Sequence, residues 1–279
     1  MIFHQIWKPF IHKEKILIIL AIFIFMNISL WFTFQQSIFS EAGYETVYPN
    51  AGLEFFYYIH AIGINAYHFI CIMLLIPNLV SSDFLNMYQS KSHYMIETRI
   101  SKKSYYHYVM IFNLLMSFIT VLILEISLLL IIHIFYLPIR FNTMTYPELY
   151  HAMSIIVFND EIYNLIAFCL MTSLGYTIVS GLIFTLQWII TNPYIYRCSG
   201  VIIGIILVVF PALIQGYLSV PDFAFLLQIN NLVCLGIEGM VEPPFQLSYP
   251  IIYLYASIIY IFITWCSYYI FMKWRNHYD

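Results

Sequence analysis

Long uninterrupted apolar runs constrain the fold of this chain more than any other feature. One of them, NLLMSFITVLILEISLLLIIHIF, contains a single acid, Glu125, and no Lys or Arg. A hydrocarbon core of about 30 Å takes about 20 helical residues, so runs of this length predict membrane-spanning helices. Only helices and closed barrels satisfy their backbone groups in lipid, and these runs lack the alternating pattern of barrel strands.

The composition agrees with this interpretation. The chain has 279 residues, of which 62% are hydrophobic and only 9% are Asp, Glu, Lys or Arg, whereas soluble domains have about 45–50% apolar and about 25% charged residues. We therefore predict an all-α polytopic membrane protein that forms a single transmembrane domain over residues 1–279. The six predicted spans are Ile16–Phe34, Phe56–Val80, Tyr106–Phe135, Ile162–Ile190, Gly200–Leu218 and Ile251–Phe271.

The distribution of Lys and Arg predicts the orientation, because cytoplasmic connections are enriched in positive charge. With the N-terminus inside, Arg140 is the one basic residue of the outer segments, which carry the acids Glu41, Glu45, Glu54, Glu148, Asp160, Glu161, Asp222, Glu238 and Glu242. The inner segments hold Lys8, Lys13, Lys15, Lys91, Arg99, Lys102, Lys103, Arg197, Lys273 and Arg275. We expect a multi-pass protein of the cell membrane with both termini in the cytoplasm.

Two connections carry too many apolar residues for plain tethers. Residues 1–15, MIFHQIWKPFIHKEK, alternate bulky apolar side chains with His and Lys, which favours an interfacial helix over an ordinary basic flank. Residues 219–250 are apolar but contain Asn230, Asn231 and a Pro-Pro pair. We expect an outer re-entrant hairpin here. A seventh span is the alternative, but it would place Lys273 and Arg275 outside.

The motifs of soluble enzymes are absent from the chain. No Gly is followed by Lys, which excludes a Walker A phosphate loop, and HExxH, GxSxG and GxGxxG do not occur. The histidines are scattered, so we expect packed or interfacial side chains rather than metal ligands, and the cysteines form no CxxC pair. The sequence thus predicts no catalytic residue, no metal site, no cofactor bound by this chain and no nucleic-acid partner, although an enzyme assembled within the membrane stays open.

Two features inside the spans have alternative interpretations. A charged carboxylate at a helix centre costs about 2.5–3.5 kcal/mol on insertion scales, so Glu125 either lines a translocation path or is hydrogen-bonded to a neighbouring helix or subunit. Gly200 and Gly204 form a GxxxG pair, which permits close approach of helices. This pair serves packing within the chain or, alternatively, a contact between subunits.

The stretch Tyr94–Tyr108, YMIETRISKKSYYHY, gathers charge between two apolar runs. A topology signal accounts for its positive residues but not for the length of the connection, which we place at residues 81–105. Glu97, Arg99, Lys102 and Lys103 alternate with apolar residues, which predicts a short amphipathic helix along the membrane. Such a helix could transmit the movement of a soluble partner to the second and third spans.

The segment SSDFLNMYQSKSHYMIETRISKKSYYHYVMIFN resembles the region between the second and third spans of ATP-binding-cassette (ABC) transporter permeases of the type-2 export class. Asp83, the run Thr98–Lys103 and the pair Tyr105–Tyr106 match that region. The predicted layout of an interfacial helix, six spans and an outer hairpin is also similar to the class. The sequence departs from the pattern at residues 89–92, Gln-Ser-Lys-Ser, where an acidic-Gly turn often stands.

The resemblance implies the permease subunit of an exporter, which forms a dimer with a second copy or a related permease. Two cytoplasmic ATPase subunits would bind ATP and Mg²⁺ and drive outward movement of an amphipathic or hydrophobic peptide, lipid or drug. The implied ATPase-coupling residues are Asp83, Glu97, Thr98, Arg99, Ser101, Lys102 and Lys103. Membrane lipids are the other expected partners. An ion-coupled secondary transporter, a membrane-embedded enzyme and an accessory or sensor subunit are the alternatives.

Overall fold

The structure is a computed structural model, and it describes residues 13–41, 50–62, 66–91, 101–141, 158, 160–218, 221–235 and 248–278. Within these ranges the chain is helical and has no strand. The α-helices are α1 (Lys13–Gln36), α2 (Ala51–Ile59), α3 (Ala66–Leu79), α4 (Ser81–Gln89), α5 (Lys102–Ile131), α6 (Glu161–Thr185), α7 (Pro193–Arg197), α8 (Ser199–Leu218), α9 (Pro221–Leu226), α10 (Asn230–Val233) and α11 (Tyr249–Tyr278). Short 3-10 turns cover Ile38–Ser40 and Leu186–Trp188, and a π-helical turn, Ile132–Tyr136, extends α5.

Among the described residues, six helical segments are long and apolar enough to cross a membrane, which confirms the all-helical class and the number of candidate spans. They are Lys15–Gln36, Ala66–Gln89, Lys102–Tyr136, Glu161–Trp188, Ser199–Tyr217 and Tyr249–Trp274. The span built from α3 and α4 is the most enclosed of the six, and α11 is the most exposed. The α3–α4 span therefore forms the centre of the bundle, with α1, α5, α6 and α8 packed against parts of it.

The second span differs from its predicted bounds, Phe56–Val80. Residues 51–59 form the separate, mostly buried helix α2, and the spanning segment covers Ala66–Gln89. The hydropathy of the run concealed this division, although Gly63 and Asn65 are poor helix formers. At the other end α4 stays helical because Phe84 and Leu85 are buried, so part of the connection that we expected at residues 81–105 belongs to the span.

A close contact between α3 and α8 lies beside a proline in α3. Pro77 lacks an amide hydrogen, so the carbonyl of Met73, four residues earlier, loses its helical partner. Gly200 of α8 lies directly against this carbonyl, since a Cβ added at Gly200 would be 1.8 Å from the Met73 oxygen. A Cβ at Gly204 would be 3.0 Å from the side chains of Phe69 and Met73. Both glycines of the GxxxG pair therefore pack on α3 of the same chain.

Buried polar side chains join α4, α5 and α6. Asn113 of α5 donates a 2.8 Å hydrogen bond to the Ser180 hydroxyl and accepts one of 2.8 Å from Ser81. The hydroxyls of Ser117 and Ser180 are 2.7 Å apart. All four side chains are buried. Interhelical hydrogen bonds of this kind stabilise helix association in lipid, where water cannot replace them.

Parts of the two predicted surface segments are described. Of residues 1–15, the structure describes only the last three, which begin α1, and residues 1–12 lie outside the described ranges. Of residues 219–250, it describes 221–235 and 248–250. The short helices α9 and α10 bury Phe225, Ile229 and Leu232, and α10 packs on α6, where a Cβ at Gly175 would be 1.9 Å from the Leu232 carbonyl oxygen.

Two glycines of α8 give a matched test of this packing. We predict that Gly200→Ala lowers the free energy of unfolding by about 1–3 kcal/mol, because the added methyl group collides with backbone that cannot move alone. Gly216→Ala is the control, since no atom lies within 4 Å of the position that its new methyl group would take and Ala is the better helix former by about 1 kcal/mol. Unfolding in mild detergent measures both, and equal stabilities of the two variants would contradict the contact.

Candidate functional site

Glu125 of α5 is fully buried and lies between two buried histidines. Its Oε2 atom is 2.8 Å from Nε2 of His60, and its Oε1 atom is 3.4 Å from Nε2 of His68. The exposed fractions are 0% for Glu125, 3% for His60 and 5% for His68. We call these three residues the His–Glu cluster. It joins the C-terminus of α2, the start of α3 and the C-terminal part of α5.

Local structure fixes the orientation of the His60 ring. His60 is the C-cap of α2, and its Nδ1 atom is 2.8 Å from the carbonyl oxygen of Phe56, one helical turn earlier. A carbonyl oxygen can only accept, so Nδ1 is the nitrogen that carries the hydrogen. The lone pair of neutral His60 is therefore on Nε2, where it points at a carboxylate oxygen. Two acceptors at this distance require a cation between them, either a proton or a metal ion.

Aromatic rings enclose the His–Glu cluster. The ring centroid of His60 is 4.7 Å from that of Phe56, 5.1 Å from that of Phe168 and 4.5 Å from that of His68. Phe56 and Phe168 are both buried. Beside His68 is a small cavity of about 10 Å³, lined by Met26, Ser29, Leu30, Ile59, His68 and Leu128. This volume is close to the minimum needed to hold one water molecule.

The His–Glu cluster is the constellation that sequence reasoning missed. We expected scattered histidines without metal-ligating roles, whereas one donor atom each from His60, His68 and Glu125 lie within 4.8 Å of one another. Glu125 was singled out as the buried acid, and the structure gives it partners from two neighbouring helices of the same chain. The available signal was the placement of both histidines around Gly63-Ile64-Asn65, the interruption of an otherwise apolar run.

A second buried carboxylate lies on α2. Glu54, counted in the sequence among the acids of the outer segments, is only 5% exposed, and its Oε2 atom has no hydrogen-bond partner among the described residues. Burial, reinforced by the negative charge of Glu161 at the start of α6, raises the pKa of Glu54 to about 7. A proton on Glu54 therefore removes the repulsion between two buried acids.

The expected coupling residues fall into three groups. Asp83 forms an ion pair with Lys15 of α1, so its carboxylate holds α1 against α4. Ser101 is the N-cap of α5, where its hydroxyl accepts from the backbone amide of Ser104 at 3.3 Å. Lys102 and Lys103 occupy the first turn of α5. Glu97, Thr98 and Arg99 lie outside the described residues.

An aromatic cluster holds the two helix ends that flank residues 92–100. Phe84 of α4 contacts Tyr106 of α5 with ring centroids 5.6 Å apart, and it contacts Phe184 of α6 at 5.3 Å. Phe271 of α11 contacts Tyr106 at 5.9 Å and Phe184 at 5.8 Å. Tyr105, also buried, is 5.9 Å from Phe84. We call these five rings the aromatic anchor; they join four of the candidate spans.

Lys103 also borders a cavity of about 560 Å³ between α5 and α11. Its polar lining includes His107 on the next turn of α5 and Lys273 near the end of α11. Met272 and three aromatic side chains complete the lining, among them Trp265, which is 64% exposed. The positive charges of the expected coupling region thus continue onto the last span.

Comparison of the chain with known protein families, with curated proteins and with solved structures finds no match.

The buried acid Glu54 predicts a pH dependence of stability. The pKa of Glu54 is about 7 in the folded chain and about 4.3 in an unfolded one, so the folded state binds the extra proton between these values. The contribution of Glu54 to stability is therefore largest below about pH 4 and is lost as the pH rises through 7. We expect the wild type to lose on the order of 1–3 kcal/mol from pH 5 to pH 8.

Glu54→Gln, which imitates the protonated side chain, should flatten this profile and exceed the wild type in stability at pH 8. Thermal unfolding in mild detergent across this pH range measures the effect. The control is Glu41→Gln, at an acid that is exposed, and it should keep the wild-type profile. A Glu54→Gln variant with the same slope as the wild type would contradict the assignment.

Proposed function

We propose that this chain is the membrane-spanning permease subunit of an ATP-driven ABC exporter, oriented with both termini in the cytoplasm of the cell. It works as a dimer with a second permease and two separate ATPase subunits. The proposal rests on the resemblance of Asp83 and Thr98–Lys103 to the coupling region of type-2 export permeases. The absence of a phosphate loop from the sequence agrees with an energy source in another chain.

The observation that supports it most is the aromatic anchor. Residues 92–100 carry Glu97 and Arg99, and the helices on either side, α4 and α5, are fixed to each other and to α6 and α11 by buried rings. Protein interiors are close-packed and have low compressibility. Displacement of this connection by a partner therefore moves the adjoining helix ends together, as transmission of a power stroke requires.

The charges at the start of α5 also support a docking role. Lys102 and Lys103 lie in the first helical turn, and Lys103 is exposed. The helix dipole disfavours cations at an N-terminus, typically by 0.3–1 kcal/mol. Helix stability alone therefore does not account for two lysines here, whereas attraction to an acidic partner surface or to anionic lipid headgroups does.

The substrate class remains the one that the resemblance implies, an amphipathic or hydrophobic peptide, lipid or drug. Exporters of such molecules need apolar surface between helices rather than a polar channel. The exposed faces of α8 and α11 supply such surface, with Ile205, Phe210, Leu254 and Phe262 among their exposed side chains. In the proposed dimer, part of this surface contacts the second permease and part contacts lipid.

The test uses the permease together with its ATPase. The tagged chain is purified from its native membrane, and a co-purifying protein that carries GxxxxGK[ST] is identified and reconstituted with it in lipid nanodiscs. We expect the Arg99→Glu/Lys103→Glu double variant to insert into the membrane normally. The double variant should stimulate ATP hydrolysis by the ATPase at least about tenfold less than the wild-type chain does, because its new negative charges repel an acidic partner surface. Arg140→Glu, on the opposite side in the proposed orientation, is the control.

Two outcomes would contradict the exporter proposal. In the first, no protein with a phosphate loop co-purifies with the wild-type chain. In the second, the double variant stimulates ATP hydrolysis as strongly as the wild type, which would leave the charged connection without a coupling role.

An ion-coupled secondary transporter is the second candidate, and the His–Glu cluster is the observation that favours it. Buried carboxylates and histidines in spanning helices often form proton relays. This function predicts proton flux into vesicles that contain the chain alone and hold a pH-sensitive dye, with loss of the flux in Glu125→Gln. The exporter predicts no such flux without its ATPase.

A further inference from the structure

We propose that His60, His68 and Glu125 bind one divalent transition-metal ion, with Zn²⁺ as the best match. Such a site is independent of the exporter proposal, since it rests on the geometry of three buried side chains. It would make α2, α3 and α5 a single unit held together by an ion.

The donor set suits zinc. Two imidazoles and one carboxylate bind Zn²⁺ in open zinc sites, where Zn–N is about 2.0–2.1 Å and Zn–O is about 2.0–2.2 Å. At these distances, two ligand atoms of a tetrahedral ion are about 3.4 Å apart. The separation between His68 Nε2 and Glu125 Oε1 is already 3.4 Å, and that between His60 Nε2 and Glu125 Oε2 is 2.8 Å. The shorter pair, which ends at the other carboxylate oxygen, must widen by about half an ångström to match the spacing around a tetrahedral ion.

The orientation of His60 is the second argument. Metal-ligating histidines usually donate their other ring hydrogen to a carbonyl or carboxylate, which fixes the tautomer and directs the lone pair at the metal. His60 has this arrangement, since its Nδ1 is 2.8 Å from the carbonyl oxygen of Phe56 while Nε2 faces Glu125. Without a metal ion, the contact between Nε2 and the carboxylate oxygen requires a proton instead.

The surroundings agree with a site that has three protein ligands and one open position. The exposed fractions of all three ligands are at most 5%, so the ion would be shielded by Phe56 and Phe168. The cavity of about 10 Å³ that borders His68 has room for about one water molecule. Water or a small ligand in this cavity is the natural source of a fourth donor atom.

A shared proton is the competing occupant, because it also satisfies the contact between His60 and Glu125. A shared proton lies between one pair of atoms, whereas a metal ion would bind all three residues, whose donor atoms lie within 4.8 Å of one another. Hard cations such as Mg²⁺ and Ca²⁺ are poor alternatives, since they prefer oxygen ligands.

The experiment measures metal content and affinity in the purified full-length chain, with a histidine-free affinity tag. The chain is first treated with a chelator, then incubated with Zn²⁺ and freed of unbound metal. Elemental mass spectrometry should then find one zinc ion per wild-type chain. Zn²⁺, but not Mg²⁺, should raise the midpoint of thermal unfolding, because an ion that binds only the folded state stabilises it. His60→Gln, His68→Gln and Glu125→Gln should each weaken zinc binding at least about tenfold.

The matched control is His107→Gln, which removes an exposed histidine of α5 and should leave zinc content and the thermal shift unchanged. A variant that keeps a donor atom guards against loss of folding. In His68→Cys, a thiolate replaces the imidazole, so the Co²⁺-loaded variant should gain a sulfur-to-cobalt charge-transfer band in the near ultraviolet that Co²⁺-loaded wild type lacks.

Three outcomes would overturn the metal site. The wild type could hold no more zinc than His60→Gln/His68→Gln/Glu125→Gln, which indicates a proton as the only occupant. Zinc binding could be equal in the wild type and in each single variant. Finally, Co²⁺-loaded His68→Cys could show no sulfur band. Each result leaves the exporter proposal unaffected, since its test measures ATP hydrolysis driven through a different part of the chain.

Discussion

The requirement that every polar group inside the bilayer find a partner within the protein shapes this structure more than any single contact. In the α3–α4 span, Pro77 has no amide hydrogen to donate to the Met73 carbonyl, and Gly200 of α8 packs directly against this carbonyl. Asn78 adds bonds to the carbonyls of Leu74 and Arg197 at 2.8 and 3.1 Å. Irregular backbone within the bilayer is tolerated only where other parts of the protein cover it. This explains why the α3–α4 span, which contains Pro77, is also the most enclosed span.

The same requirement applies to two groups of polar side chains at different positions along α5, one neutral and one ionisable. Asn113 and Ser117 are both hydrogen-bonded to Ser180 on α6, and Asn113 also accepts from Ser81 on α4, so neutral groups hold these helices together. About two turns further along α5, Glu125 contacts His60 and His68. The net charge of these three residues depends on whether they hold a proton or a metal ion. Neutral hydrogen bonds suffice for packing, so the ionisable cluster needs a different explanation. Burial of a carboxylate costs more free energy than burial of an amide or a hydroxyl. A bound cation that neutralises the carboxylate would lower this cost, which would explain why the cluster contains ionisable groups.

The sequence predicted the helical class and the six candidate spans because hydropathy reports burial in lipid directly. It did not predict the division at His60, since Phe55, Phe56 and Ile59 give α2 the same hydropathy as a span. The buried acid Glu125 was evident from its isolation in an apolar run, but its partners were not. Contact between His60 and Glu125 depends on how α2 packs against α5, which is a tertiary property with no periodic signal. Likewise, Asp83 matched a coupling motif in sequence, while its pairing with Lys15 required the structure.

The His–Glu cluster and the aromatic anchor share two spans, the α3–α4 span and α5, and this arrangement limits how they could communicate. Tyr105 and Glu125 are separated along α5 by about 30 Å at 1.5 Å per residue, and no proline interrupts the helix between them. His68 and Phe84 lie on α3 and α4, on either side of Pro77, so the helical hydrogen bonds are interrupted along this second route. A continuous helix transmits displacement more directly than an interrupted one. Coupling between the His–Glu cluster and residues 92–100 would therefore run through α5. It would require two alternative packing arrangements of α5 against α6.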